Sequence, residues 1–427
     1  MKICVIGLGY IGLPLSAAFA REGVSVTGVD VNPEIVCEIN RGRVSIEEPE
    51  LPELIARGVE SGRLSASQTP VAADVYIIAV PTPNRLDRYN GCDLSLVISA
   101  CRSVIPLLQP GNMVIVESTV APGSMEGEIR PLFEKAGYTA GRDVFLAYCP
   151  ERILPGKMLC ELASQSRMIG GVTEKCTDRA AGVYALITGG AISKTDSKTA
   201  ELVKCAENTF RDVNIAFANE LAKICCGLEI NCYDVIRLAN LHQRVNILNP
   251  GPGVGGHCLA VDPYFIHAKA PETAQIIKLC RDVNNSMPEF VAKKAISLLG
   301  GTDNPKIAVL GIAFKGNVDD CRQSPALEVI RLLKEKGCRV EACDPYVRSD
   351  MLVPFEQAVT GAELALVLAD HDQYKSLDRD ALAGMMARPV LFDTRGIVEI
   401  CENSKLDKLE VINYGNIWKR DTGDSGS

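Results

Sequence analysis

Histidine and tryptophan are scarce in this 427-residue chain, four and one respectively, and its seventeen cysteines include no Cys-x-x-Cys pair. Without such pairs or His clusters, neither a zinc site nor a disulfide framework is expected. The scattered cysteines read as small buried hydrophobes in a reducing compartment. Basic residues are in deficit, 45 against 53 acidic for a net charge of −8, and like charges nowhere run to five. That balance argues against nucleic-acid binding through a general basic surface and leaves local Arg, Lys and helix termini to hold any anionic ligand. Long apolar runs are missing as well. Only the N-terminal ICVIGLGYIGLPLSAAFA approaches the roughly 18 residues of a membrane span, and it ends in Ala18-Phe19-Ala20 like a leader-peptidase site. Three glycines and a proline interrupt it, so a strand, turn and helix are expected there, in a cytoplasmic protein without a membrane partner. Repeats of 20 to 50 residues and low-complexity tracts are lacking too.

What remains is a chain that is 47% apolar and long enough for about three domains of about 150 residues. ICVIG, VSVTGVD, ADVYIIAV, NMVIVEST and DVFLAYCP alternate with helical patterns, as in a parallel sheet with crossover helices. From Asp196 to about Gly227 there is no proline and no internal glycine, which predicts one long helix with Asp196 near its N-cap. Helical patterns continue to about Leu299. After GGTDNP at 300–305, a linker and potential hinge, the runs KIAVLGIAF, CRVEACDP, ELALVLAD and PVLFDT restart the alternation. The expected fold is α/β, with Rossmann-like domains at 1–195 and 300–420. A helical domain at 196–299 joins them, and a polar tail at 421–427 is expected to be disordered.

Gly7-Leu8-Gly9-Tyr10-Ile11-Gly12 is G-x-G-x-x-G between a predicted strand and a predicted helix. Gly7 serves the turn, Gly9 the approach of a pyrophosphate, and Gly12 helix-to-strand packing. Asp30 ends the next strand, 18 residues beyond Gly12. A carboxylate there accepts from a ribose diol and repels a 2′-phosphate, favouring NAD over NADP. Val80-Pro81-Thr82-Pro83 and Glu117-Ser118-Thr119 follow two further strands, at the end where such sheets bind ligands; simple turns or caps explain them equally well.

Lys204, Asn208 and Arg211 are spaced i, i+4, i+7 on the long helix and share a stripe suited to an anionic or polyhydroxylated substrate. Leu202, Val203, Phe210, Val213 and Phe217 make much of the remaining surface of that helix apolar. The run from His242 to Pro263 packs four glycines and two prolines into 250–256, which predicts a loop whose backbone passes close to something. Cys258 follows it, four residues before Asp262. A thiol so placed is a candidate nucleophile, with a carboxylate stacked beside it if the chain turns helical.

GPGVGGHCLAVDP, AYCPERILPG, ELVKCAENTFRDVNIAFANE and GIAFKGNVDDCRQSP resemble the signature blocks of the UDP-glucose/GDP-mannose dehydrogenase family, the UDP-sugar 6-dehydrogenases, over about Met1 to Lys419. Within it, ANLHQRVNILNPGPGVGGHC and the PERILPG loop are most similar to enzymes of UDP-N-acetyl-D-mannosamine, with the UDP-N-acetyl-D-glucosamine enzymes as the alternative. The resemblance implies two successive NAD-dependent oxidations at the sugar C6, giving a uronate for surface polysaccharide. Cys258 is then the nucleophile, forming a thiohemiacetal and then a thioester. Lys204 assists proton transfer and stabilises the oxyanion with Asn208 as partner. Asp262 and Glu151 handle water and protons, and Thr119 lies near the nicotinamide. For the cofactor the resemblance adds Tyr10, Ile11, Thr82 and Arg322. For the UDP-sugar it implies Arg152, Ile153, Lys204, Asn208, Arg211, His242, Arg244, Asn246, Gly253, Phe314, Lys315 and Arg395, with the C-terminal domain binding UDP. Relatives often carry Pro at Gln243 and Lys at Arg395; neither difference removes a charge, and the first loosens the substrate loop.

Two other readings compete. β-Hydroxyacid dehydrogenases also pair a Rossmann domain with a Lys and an Asn four apart on a long helix, but they leave Cys258 and the second α/β domain without a task. A nucleotide-sugar or NAD sensor without turnover leaves Cys258, Lys204 and Asp262 unexplained. The apolar face of the long helix, together with the resemblance, implies a homodimer or dimer of dimers.

Overall fold

The computed structural model describes residues 1–44, 46, 48–152, 156, 158–400 and 408–420. The tail expected at 421–427 and the candidate Ile153 lie outside the described residues. The chain divides into two compact units, one of Met1–Glu207 with Tyr264–Pro271, the other of Asn208–Pro263 with Glu272–Ser427.

The first unit is built on eight strands: β1 (Lys2–Ile6), β2 (Ser25–Val29), β3 (Leu64–Ser67), β4 (Val75–Ile78), β5 (Met113–Val116), β6 (Phe145–Tyr148), β7 (Arg167–Gly171) and β8 (Ile192–Asp196), in the order β3-β2-β1-β4-β5-β6-β7-β8. The five apolar runs foreseen from the sequence are β1, β2, β4, β5 and β6. The last three are buried throughout, as parallel strands covered on both faces must be. Ile3, Val5, Ile77, Ile115 and Ala147 join Leu13, Leu15 and Phe19 of the first helix (Gly12–Arg21) in one core.

One expectation is corrected here. The sheet is not wholly parallel, because β6 and β7 run antiparallel, pairing Ala147 with Gly171 and Tyr148 with Gly170. Among the described residues the connection between them holds one seven-residue helix, Met158–Ser164, and the chain re-enters the sheet at the end it left. The edge strand β8 is ISKTD, partly to fully exposed, and its polarity hid it from a search for apolar runs.

The long helix spans Ser197–Leu228. As expected, Asp196 caps it, its carboxylate accepting from Thr199 N at 2.9 Å and Thr199 Oγ1 at 2.6 Å. The second unit carries β9 (Lys306–Leu310), β10 (Arg339–Cys343), β11 (Leu364–Val367), β12 (Val390–Asp393) and β13 (Glu410–Asn413), all parallel, in the order β10-β9-β11-β12-β13. Residues 300–305 form a turn inside this unit, with Gly300 at φ 63° and Gly301 at φ 81°. Leu298 and Leu299 before the turn share one buried core with Ile307, Val309 and Val329 after it.

Candidate active site

The carboxyl ends of the parallel strands of the first unit collect its candidate residues. Gly7 leaves β1 at φ 96°, and the helix begins at Gly12. A Cβ on Gly12 would lie 1.8 Å from the Gly7 carbonyl oxygen, whereas at Gly9 the same position is open for 4 Å. This is the arrangement a dinucleotide needs, a tight turn backed by packing with backbone left open to a phosphate. Tyr10 is exposed and Ile11 half-buried. Asp30 follows β2, with Oδ2 accepting from Leu8 N at 3.0 Å and Oδ1 from Asn32 N at 2.9 Å. Two residues with a φ needing glycine or a close approach, and a carboxylate at the neighbouring strand end, therefore fit NAD.

Thr82 follows β4 and Thr119 follows β5, both half-buried. Between them Ser118 Oγ donates to Val80 O at 2.7 Å and ties the two strand ends together. Glu151 follows β6 and is 9% exposed. Lys204, on the long helix and also 9% exposed, donates from Nζ to the Glu151 carbonyl at 2.7 Å. Two candidates far apart in sequence are thus joined directly. Arg152 is turned to other use: its fork pairs with Glu207 at 2.6 and 3.0 Å, a partner the sequence reading did not name.

The second unit gathers the thiol and its neighbours. Val261 N and Asp262 N both donate to the Cys258 carbonyl, at 3.0 and 2.9 Å, closing a turn that leads into the helix Asp262–Lys269. The helical turn anticipated after His257 is present. Cys258 is exposed, whereas Asp262 is 2% exposed and accepts at Oδ2 from Asn208 Nδ2 at 2.6 Å.

The glycine-rich loop approaches the protein itself. A Cβ on Gly255 would meet Gln323 O at 2.5 Å, one on Gly256 would meet the Phe314 ring at 2.8 Å, and one on Gly251 would meet Arg395 Nη1 at 2.7 Å. Asn219 Oδ1 accepts from Gly251 N at 2.8 Å beneath the loop. Gly253 has φ 133°. Upstream, His242, Arg244 and Asn246 are exposed, on a segment strapped by Asn214 to Asn246 O and Leu248 N and by Asn240 to Ile247. Arg211 and Lys315 are also exposed.

Arg395 is held by Asp370 at 2.8 Å, and Asp370 also accepts from Gly316 N at 2.9 Å. Arg322 is clamped by Asp320 through Nε and Nη2 and lies 3.2 Å from His257 Nδ1. Burial, and then the charge of Arg322, lowers the affinity of His257 for a proton. Asp320 and Asn219 lie inside two of the quoted blocks and Asp370 outside them; none was singled out, because each acts through another group and no spacing marks it. Among the described residues no cluster of His, Cys, Asp or Glu could hold a metal, and no helix is long and apolar enough to cross a membrane.

Known proteins match most of the chain. Three models of the UDP-glucose/GDP-mannose dehydrogenase family match: its NAD binding domain at residues 1–188, its central domain at 198–286 and its UDP binding domain at 308–400. A UDP-N-acetyl-D-mannosamine dehydrogenase of Methanococcus maripaludis is 43% identical over 408 residues, 93% of each chain. One from Escherichia coli is 45% identical over 404 residues, 88% of this chain and 95% of the other. The structure of a UDP-N-acetyl-mannosamine dehydrogenase from Staphylococcus aureus superposes with a TM-score of 0.92 at 48% identity, covering 98% of this chain and all of that one.

Proposed function

Because the chain belongs to the UDP-glucose/GDP-mannose dehydrogenase family, we propose that it oxidises C6 of UDP-N-acetyl-D-mannosamine to the carboxylate, with two NAD reduced per sugar, for surface polysaccharide. The observation that carries the reading is the turn that leads from the exposed Cys258 to Asp262, whose buried carboxylate accepts from Asn208 of the long helix. A β-hydroxyacid dehydrogenase has no use for that turn, and neither has a sensor.

Bound NAD supplies the hydride acceptor for both oxidations. The residues divide the remaining work. Lys204, fixed by the Glu151 carbonyl, offers its other ammonium protons to the C6 oxygen and stabilises the negative charge that grows there. Cys258 Sγ forms a bond to the C6 aldehyde carbon, and the carbonyl oxygen takes the proton of the thiol, giving a thiohemiacetal. Loss of a second hydride and the hydroxyl proton leaves a thioester. Water then adds, the C–S bond breaks, and the thiol regains a proton. Asp262, oriented by Asn208, and Glu151 accept protons from the water. Per sugar, one water is consumed and three protons are released with the two NADH.

In this reading residues 1–195 serve NAD, with Gly7, Gly9, Tyr10, Ile11, Gly12, Asp30, Thr82 and Thr119. Residues 196–299 serve the sugar and dimerisation, and 300–420 serve UDP through Phe314, Lys315 and Arg395, with Arg322 reaching the cofactor. A homodimer is supported by Phe210, Phe217, Ile224 and Leu228, which are 70%, 50%, 48% and 63% exposed on the long helix; the first three repeat every seven residues and form one stripe. A cytoplasmic setting supplies both NAD and the nucleotide sugar.

The test is NADH formed per sugar consumed, with UDP-N-acetylmannosamine, UDP-N-acetylglucosamine and UDP-glucose in parallel. The expected result is about two NADH from the first and little from the others. Preference for the gluco sugar corrects the epimer, and no turnover of any of them overturns the reading.

A further inference from the structure

We infer that Arg167 is a positioning residue for the oxidation, holding the Glu151 carboxylate from the reversed strand β7; this rests on the role proposed for Glu151. The register shows why a residue so far along the chain reaches the site. β6 and β7 pair antiparallel, Ala147 opposite Gly171 and Tyr148 opposite Gly170. Continued to the first residue of β7, the same register sets Arg167 opposite Glu151. Had β7 been parallel, its first residue would lie at the other end of the sheet. The reversal delivers an arginine to the carboxyl ends of β5 and β6, where Thr119 and Glu151 stand.

The contacts bear this out atom by atom. Arg167 Nη2 donates to Glu151 Oε2 at 3.1 Å, while Arg152 N donates to Glu151 Oε1 at 2.7 Å and Lys204 takes the Glu151 carbonyl. Each oxygen of Glu151 therefore has a fixed donor. Arg167 Nη1 faces Glu117 Oε1 at 3.4 Å and Cys149 Sγ at 3.8 Å, and the guanidinium lies over the Tyr184 ring, 4.7 Å from its centroid. Tyr184 Oη donates to Glu117 Oε1 at 2.8 Å. Arg167 is 6% exposed and Glu117 2%.

Two buried carboxylates thus share one guanidinium. Burial first, and then the charge of Glu151, raises the Glu117 carboxyl to about 8. Of the two carboxylates Glu151 lies nearer the guanidinium, at 3.1 Å against 3.4 Å for Glu117. A buried ion cluster of this kind seldom stabilises a fold more than apolar residues of the same size. Its presence at the end of β6 is accounted for by orientation: an anchored carboxylate meets the water at the same angle in each turnover.

The experiment uses the full chain carrying R167M, R167K, E151Q and the E151Q/R167M double variant. Hydrolysis of the Cys258 thioester is followed by intact-mass spectrometry in a single turnover, alongside a pH–rate profile and NAD affinity. R167M is expected to slow hydrolysis on the order of 10²-fold, as a misplaced catalytic group does, and to accumulate the acyl adduct as E151Q does. Its pH–rate profile departs from that of the wild type, because the guanidinium facing the Glu151 carboxylate is gone. R167K restores part of the rate, and the double variant is no slower than the slower single one. NAD affinity within about threefold of wild type reports an intact fold.

Impairment of E151Q with a wild-type hydrolysis rate and pH profile in R167M overturns the positioning role alone. So does a double variant slowed by the product of the two single effects. An unimpaired E151Q overturns the role of Glu151 itself and the inference with it. If R167M does not fold, R167K decides: hydrolysis slowed about tenfold with NAD affinity retained supports the inference, and hydrolysis at the wild-type rate overturns it.

Discussion

Asn219 offers a test of how the glycine-rich loop is held. It is fully buried on the long helix, with Oδ1 accepting from Gly251 N at 2.8 Å and Nδ2 donating to Asn284 Oδ1 at 2.9 Å. Asn284 in turn donates to Asp212, to its carbonyl at 3.0 Å and to Oδ1 at 2.8 Å, beside an Arg281–Asp212 ion pair at 2.6 Å. Asn219→Ala removes both bonds and strands two buried groups, the Gly251 N–H and Asn284 Oδ1. At about 1–3 kcal/mol for each stranded group, the loss is roughly 2–6 kcal/mol. For a unit of this size that corresponds to a fall in Tm of roughly 5–20 °C. Calorimetry on the full chain measures it. The loop that carries Gly253 also slackens, so KM for the UDP-sugar rises while KM for NAD stays near wild type. A fall in Tm below 2 °C with an unchanged UDP-sugar KM refutes the claim that Asn219 holds the loop.

Two further outcomes follow from single side chains. Gly12→Val places a branched side chain where even a Cβ would lie 1.8 Å from the Gly7 carbonyl. NAD affinity is expected to fall on the order of 10²-fold, read by isothermal titration, and a Kd within threefold of wild type contradicts the packing argument. Asp344 is fully buried in its side chain and pairs with His371 Nε2 at 3.1 Å. Burial pushes this carboxyl up, but the His371 ring and the N–H groups of Val347, Tyr346 and Ile312 outweigh it and hold it at about 2, against an ordinary 3.8. A lowered carboxylate stabilises the fold above its unfolded value, and that contribution is lost as pH falls through the folded one. Asp344→Asn therefore costs roughly 2 kcal/mol at pH 7, and in denaturant titrations its deficit shrinks between about pH 4 and 2. A deficit that does not change with pH points away from ionisation.

Much of this was legible because short-range chemistry marks it. The turn at Gly7, the acid at Asp30, the cap at Asp196 and five strands of the first sheet announce themselves by residue type and period. β3 and β8 did not, since LSAS and ISKTD are polar edge or near-edge segments. The reversal of β7 was hidden for another reason: Arg167-Met-Ile-Gly-Gly reads alike in either direction, and only the path of residues 149–166 decides which end it enters. The roles of the site's partners were hidden even where a quoted segment contains them, because no spacing singles them out. Arg167 opens an apolar run, Glu117 ends one, and Asn219 is one amide among many on a helix. Nothing local distinguishes a buried carboxylate that holds a backbone from a solvated one.

The two sheets also show how one architecture is put to two uses. In the first, Asp30 takes one amide of the glycine turn, Leu8 N. In the second, side chains from the strand ends take four amides of the corresponding loop. Asp344 Oδ2 accepts from Ile312 N at 2.7 Å and Ala313 N at 3.0 Å, Asp370 Oδ1 from Gly316 N, and His371 Nδ1 from Asn317 N at 2.9 Å. The last bond makes Nδ1 the acceptor and leaves the Nε2 proton for Asp344. Amides at this point of a Rossmann fold are the ones that hold a pyrophosphate. Here they are already bound, and a dinucleotide would bring its charge against two buried or half-buried carboxylates. Beside these amides Lys315 is exposed, Phe314 is half-buried with its ring against Gly256, and Arg395 is held by Asp370. The second sheet thus keeps the strand order of a nucleotide-binding fold, while the strand-end side chains already take the loop amides that a dinucleotide's pyrophosphate would need.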